Sequence, residues 1–418
     1  NGEWKFNAIG SGFSNDAAVV EPVQTTAPST TVAPVQTTTK ATTVATTPVT
    51  YSDTIYVSPK GTGSGKSESD PTDFLSAIKN VPAGGVIYLL EGTYNYTDTI
   101  LIDQNNSGSA GKYKTVRPYN NAKVVFDFTG QAVSASARGF VLDGNYWHFY
   151  GFEITQAGDN GMLLSGNNNI IEMMVFNDNE DTGLQVSRYR TDAASIAEWP
   201  TNNLIKNCTS KNNCDEATME NADGFAAKLT CGEGNVFDGC LSYNNSDDGW
   251  DLYSKAATGP IGVVTIKNCI AFRNGFTEDG RGYGDADGNG FKMGGDSMSG
   301  KHVLENCLAF NNKAKGIDSN SCPDNIVKNC TTFNNESYNV ALYTNTAANT
   351  AYVANGIISY RNDSLASALT QGENLKGKGT QVEADYKNDT DYYWNGSDMS
   401  VNTQGVQVLE SWFVSTDT

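Results

Sequence analysis

The sequence predicts an all-β fold, a right-handed parallel β-helix with a short N-terminal capping helix, and three observations predict it. First, five segments share one pattern: NLIKNCTSKNN from 203, NVFDGCLSYNN from 235, VTIKNCIAFRN from 264, HVLENCLAFNN from 302 and NIVKNCTTFNN from 325, with weaker copies IIEMMVFNDN from 170 and ANGIISYRND from 354. Second, the aligned residues Phe152, Met174, Cys208, Cys240, Cys269, Cys307, Cys330 and Gly356 are spaced by 22 to 38 residues. A floor with variable excess is what a coil of fixed circumference and variable loops produces. Third, each repeat carries short alternating runs punctuated by Asn and Gly, and none offers a helix-length amphipathic window.

In chain order, residues 1–23 read as the tail of an upstream module, and QTTAPSTTVAPVQTTTKATTVATTPVT as a Thr/Pro-rich linker, over residues 24–50. The β-helix domain is expected over 51–418. Its entrance is SDPTDFLSAIKNVPAGGVIYLLEGTY: Asp70 with Pro71 starts a short helix, Phe74, Leu75 and Ile78 form its apolar face, and the helix plugs the open end of the coil. The five repeated Cys suggest a stacked interior position rather than a disulfide scaffold, leaving one pairing open among Cys214, Cys231 and Cys322. The Asn preceding the Cys (Asn207, Asn268, Asn306, Asn329) is expected to form an inner ladder that satisfies turn backbone groups.

A second register repeats Gly, large apolar, variable: Gly161-Met162-Leu163, Gly183-Leu184-Gln185, Gly224-Phe225-Ala226, Gly249-Trp250-Asp251, Gly290-Phe291-Lys292 and Gly316-Ile317-Asp318. Period-two alternation turns the large residue inward and the variable one outward, so Asp251 and Lys292 become outward neighbours on successive turns. The residue before each Gly forms another column, which stacks Asp223 on Asp248, with Asp247 beside them. Four carboxylates without a matching cluster of Arg repel one another, and a hard divalent cation is the simplest neutraliser; Ca²⁺ suits an irregular oxygen cage best.

DADGNGFKMGGD, residues 285–296, also resembles a helix-flanked calcium loop. Gly294-Gly295 would interrupt the exiting helix, however, and FKMGG continues the column of strands, so the strand reading is preferred. Asp285, Asp287 and Asn289 then belong to a loop that leads into it.

A formal charge of −19 argues against nucleic acid or an anionic membrane as partner, and no apolar run approaches the length of a membrane helix. It leaves an acidic substrate open, since carboxylate-held metal makes a local positive site. Residue 1 is Asn with no leader before it, which reads as a mature or excised chain. With the Thr-rich linker, this suggests an extracellular, multimodular protein whose β-helix is a monomer.

At NADGFAAK (221–228), NSDDGWDL (245–252) and GNGFKMGG (288–295), the chain resembles the family-nine pectate lyases, over roughly residues 52–415. The resemblance implies a pectate-lyase-like solenoid that cleaves polygalacturonate, the pectin backbone, by calcium-dependent β-elimination. It makes Asp223, Asp247, Asp248 and Asp251 the calcium ligands and Lys292 the catalytic base. Substrate-binding residues are left open. Two other readings remain: an inverting polygalacturonase-type hydrolase that uses the Asp247-Asp248 pair, and a non-catalytic polysaccharide-binding β-helix. His148 and His302 lie in strand-like runs, outside the Gly-His-Gly setting such hydrolases use, and read as structural. Arg273 and Arg281 read as surface charges rather than partners of substrate carboxylates.

Overall fold

The computed structural model describes residues 53–282 and 284–343, with 352–355, 357–360 and the backbone of short strands at 373–376, 401–402 and 405–406. The expected upstream tail and linker lie outside the described residues.

Short strands of three or four residues alternate buried and half-buried side chains, as in Leu204–Lys206, Asn235–Asp238 and Val264–Lys267. Each alone buries too little to persist, so stability comes from stacking. From Val86 on, each coil contributes one strand to each of three parallel sheets, and Thr54–Val57 extends the first, giving one sheet of eleven strands and two of ten. The chain is therefore a right-handed parallel β-helix.

In the first sheet, Val116, Phe149, Ile171, Ile205, Phe237, Ile266, Leu304 and Val327 fall in one inward register and are all fully buried. In the third, Leu241 pairs Ile270 and Ile270 pairs Leu308, which stacks the preceding Cys240, Cys269 and Cys307 inside. All eight Cys are free thiols and buried, so no disulfide joins Cys214, Cys231 or Cys322. The register departs from the repeat alignment at its last copy. Thr331 pairs Ile358, so the column continues at the buried Ile357 rather than at Gly356, which itself lies outside the described residues. On the outer face, Tyr243, Phe272, Phe310 and Phe333 stack at 4.7, 5.0 and 4.9 Å between ring centroids.

The inner Asn ladder is a different set from the expected one. Asn207, Asn268, Asn306 and Asn329 occupy left-handed turn positions with φ near 50° at the outer corner. The buried ladder is Asn179, Asn213, Asn245, Asn274, Asn312 and Asn335, the last Asn of each repeat. Asn213 Nδ2 donates to Asn245 Oδ1 at 2.8 Å, Asn245 Nδ2 to Asn274 Oδ1 at 3.0 Å, and Asn274 Nδ2 to Asn312 Oδ1 at 3.0 Å. The same oxygens accept the backbone N–H one coil down, so this corner keeps no buried amide unpaired.

The capping helix also differs in detail. It spans Phe74–Asn80, and its cap is Asp73, whose carboxylate accepts from Ser76 N at 2.8 Å. Asp70 instead accepts from Ser64. Phe74, Ala77 and Ile78 face inward while Leu75 is exposed. Phe74 packs edge-on against Phe126 at 4.9 Å and so closes the coil's interior.

Candidate active site

The second sheet carries the Gly, apolar, variable register in one unbroken column: Met162, Leu184, Phe225, Trp250, Phe291 and Ile317 pair successively and point inward. Phe225, Trp250 and Phe291 stack at 5.0 and 4.8 Å, and this pins their strands to one another. Glycine precedes each because the coils approach closely there. A Cβ on Gly249 would lie 2.5 Å from the Gly290 carbonyl oxygen, and one on Gly290 lies 2.6 Å from that of Gly316.

This frame brings the acids together. Ala226 pairs Asp251 and Asp251 pairs Lys292, so the outward row reads Ala, Asp, Lys across three coils and continues to Asp318. Asp223, Asp248 and Asp251 are buried, and each offers one carboxylate oxygen within 4.8 Å of the others. Oxygens around a calcium ion sit 2.3–2.6 Å from it, so three oxygens this close can share one cation. The charge and hardness of the donor set suit such an ion. Asp248 Oδ2 is buried and makes no hydrogen bond, with the Lys292 ammonium 3.1 Å away as its ion-pair partner. Among the described residues this is the one acidic group compact enough to hold a metal.

Asp247 is buried beside the three, but both of its oxygens are engaged by backbone, Oδ2 by Asn221 N at 2.8 Å and Oδ1 by Asp287 N at 2.7 Å. The loop residues between Asp285 and Asn289 do lead into the Phe291–Lys292 strand, and no helix follows it among the described residues. Asn289 donates to Asp248 Oδ1 from its backbone at 2.6 Å and from Nδ2 at 2.9 Å.

Two lysines flank the acids. Lys292 Nζ lies 3.1 Å from Asp248 and 2.8 Å from Asp287, with 12% of its side chain exposed. Lys228 Nζ lies 2.6 Å from Asp223 and 3.3 Å from Asp251, more deeply enclosed. Burial pushes the Asp223 and Asp248 carboxyls well up, and the Lys228 and Lys292 ammonium groups pull them part of the way back. For Lys292, burial disfavours the charged form, but Asp248, Asp251, Asp247 and Asp287 together outweigh it and hold its pKa above the ordinary lysine value.

The family described as Pel9A-like, right handed beta helix region, matches residues 55–387. The chain belongs to that family. It is 48% identical over 273 residues, 65% of the chain, to pectate lyase L of Paenibacillus polymyxa, and 40% identical over 373 residues, 87% of the chain, to pectate lyase L of Thermoclostridium stercorarium. It spans 61% and 28% of the length of these two relatives. It also superimposes on the crystal structure of pectate lyase Pel9A with a TM-score of 0.69 at 29% identity, covering 88% of this chain and 90% of that one.

Within this Pel9A-like coil, sequence reasoning missed Lys228, although its signal was present: Gly224-Phe225-Ala226-Ala227-Lys228 alternates so that Lys228 faces outward with Ala226. The sequence assigns Asp287 to the leading loop, and in the structure it also pairs with Lys292. Arg281 is occupied by Asp178 at 2.9 Å, Glu216 at 3.1 Å and Asp279 at 3.0 Å, so it ties its own turn to the neighbouring coils. His302 is buried and accepts from Val264 N through Nδ1, while His148 pairs with Glu172; His148 lies in the first sheet and His302 directly precedes its Val303–Glu305 strand, whereas the acids belong to the second.

Proposed function

We propose that the chain is a calcium-dependent pectate lyase that cleaves polygalacturonate by β-elimination and leaves 4,5-unsaturated oligogalacturonides. The observation that carries this is Lys292, outward and in register with Asp251, beside three buried carboxylates whose oxygens lie within 4.8 Å. Its Pel9A-like fold and its similarity to proteins named pectate lyase support the same reading.

Asp223, Asp248 and Asp251 would hold the ion, with Asp247 orienting the loop through its two backbone contacts and standing ready as a fourth ligand. Bound calcium supplies a Lewis acid that draws charge from the uronate carboxylate and so acidifies the adjacent C5–H. Lys292, as the neutral amine, removes the C5 proton. The C5–H electron pair becomes the C4=C5 double bond, the C4–O bond breaks, and the departing oxygen takes a proton from solvent. The acids that hold Lys292 charged in the ion-free site oppose this role, and a divalent cation among them offsets their field. The protein would act extracellularly, as a monomer.

Purified protein given polygalacturonate and calcium should generate ultraviolet-absorbing unsaturated uronides, and chelation should abolish the signal. New reducing ends without unsaturation would establish hydrolysis instead, and binding without cleavage a non-catalytic module.

A further inference from the structure

We propose that Lys228 is a built-in counter-cation of the acid group: its ammonium holds Asp223 and Asp251 together when no divalent ion is bound, and it weakens the site's grip on such an ion. This rests on reading the three carboxylates as a cation site.

Lys228 follows the Phe225–Ala227 strand, one coil before Asp251, whereas Lys292 lies one coil after it. The acids are thus bracketed by two ammonium groups with separate partners. Lys292 takes Asp248 and the solvent-facing Asp287, with 56% of the latter's side chain exposed. Lys228 takes Asp223 and Asp251, two of the three carboxylates that would ligate a metal, and only 7% of its own side chain is exposed. A residue so enclosed is poorly placed to reach a sugar. It is well placed to act through its acid partners.

The charge arithmetic gives that action a sign. Buried carboxylates with no counter-charge repel one another across the stacked coils and oppose folding of the ion-free chain. One fixed positive charge in contact with two of them relieves that repulsion. The same charge then repels an incoming dication whether or not the side chain shifts on binding. A merely structural lysine predicts the opposite outcome, since losing it would disorder the ligands and weaken binding.

The test measures calcium binding by titration calorimetry, and melting in chelator, on the wild type, Lys228→Met and Lys228→Arg. Lys228→Met is expected to bind calcium at least tenfold more tightly, about 1.4 kcal/mol. Its melting midpoint in chelator should fall by several degrees, and Lys228→Arg should restore both toward wild type. If Lys228→Met does not fold in chelator, it is prepared with calcium present and its affinity read by competition with a fluorescent calcium chelator. Equal or weaker calcium binding by Lys228→Met, in a series whose wild type binds, would overturn the inference alone. A wild type that takes up no calcium would instead overturn the cation reading, and this inference with it.

Discussion

Lys292 sits among acids that stabilise the protonated form it must leave in order to work. Turnover should therefore rise with pH, as the fraction of neutral amine grows, and fall away below neutrality; initial rates of unsaturated product across a pH series check this. Lys292→Ala should lower kcat by roughly 10²–10⁴. Lys292→Arg should be equally inactive although it conserves charge, because a guanidinium does not give up its proton in a protein. If Lys292→Arg kept wild-type turnover, the residue would be an electrostatic group and not a base. Three coils away, Asp181 carries a different pH signature. Burial and the neighbouring Asp159 push its carboxyl up to about 8, against the pull of Lys228. A folded-state pKa above the unfolded value means stability that is fully present below the ordinary Asp range, about 3.9, and is lost as pH rises through about 8. Asp181→Asn should flatten that decline, so thermal midpoints of wild type and variant should diverge between those limits, with the variant the more stable at pH 8 and above.

Strands of two to five residues hold their register here because each coil is tied at its corner as well as along its sheets. Asn274 shows the cost of untying one. Its Oδ1 accepts from both the backbone and Nδ2 of Asn245, and its own Nδ2 donates to Asn312. Asn274→Ala would leave the buried Asn245 N–H unpaired and take one of two donors from Asn312 Oδ1, at about 1–3 kcal/mol for the unpaired group. Urea unfolding should show the loss, and Asn245→Ala in the same background should add less than its own separate cost. The repeat made such a ladder foreseeable but not its members. Each motif holds several Asn, and the in–out parity that alternation supplies along a strand is broken at a turn, where a left-handed residue such as Asn207 reverses the chain. The same loss of parity explains the slip from the expected Gly356 to Ile357 in the last, divergent copy.

A coil has no central core whose melting is independent of its surface sites, so an ion bound to Asp223, Asp248 and Asp251 would clamp consecutive turns. Calcium at about 100 times its Kd should add about 2.7 kcal/mol to stability. Melting midpoints should rise with calcium and fall with chelator, and Asp223→Asn should remove that dependence. What the sequence alone determined is the coiled architecture, its inward columns and the pairing of Asp251 with Lys292, since alternation and a constant circumference translate directly into stacking. Folding in three dimensions decided the rest: that Asp247 spends its oxygens on backbone, that Lys228 enters the acid group, and that Asp287 meets Lys292. Those contacts depend on loop paths and on how far side chains reach across neighbouring coils, and no periodicity along the chain encodes either.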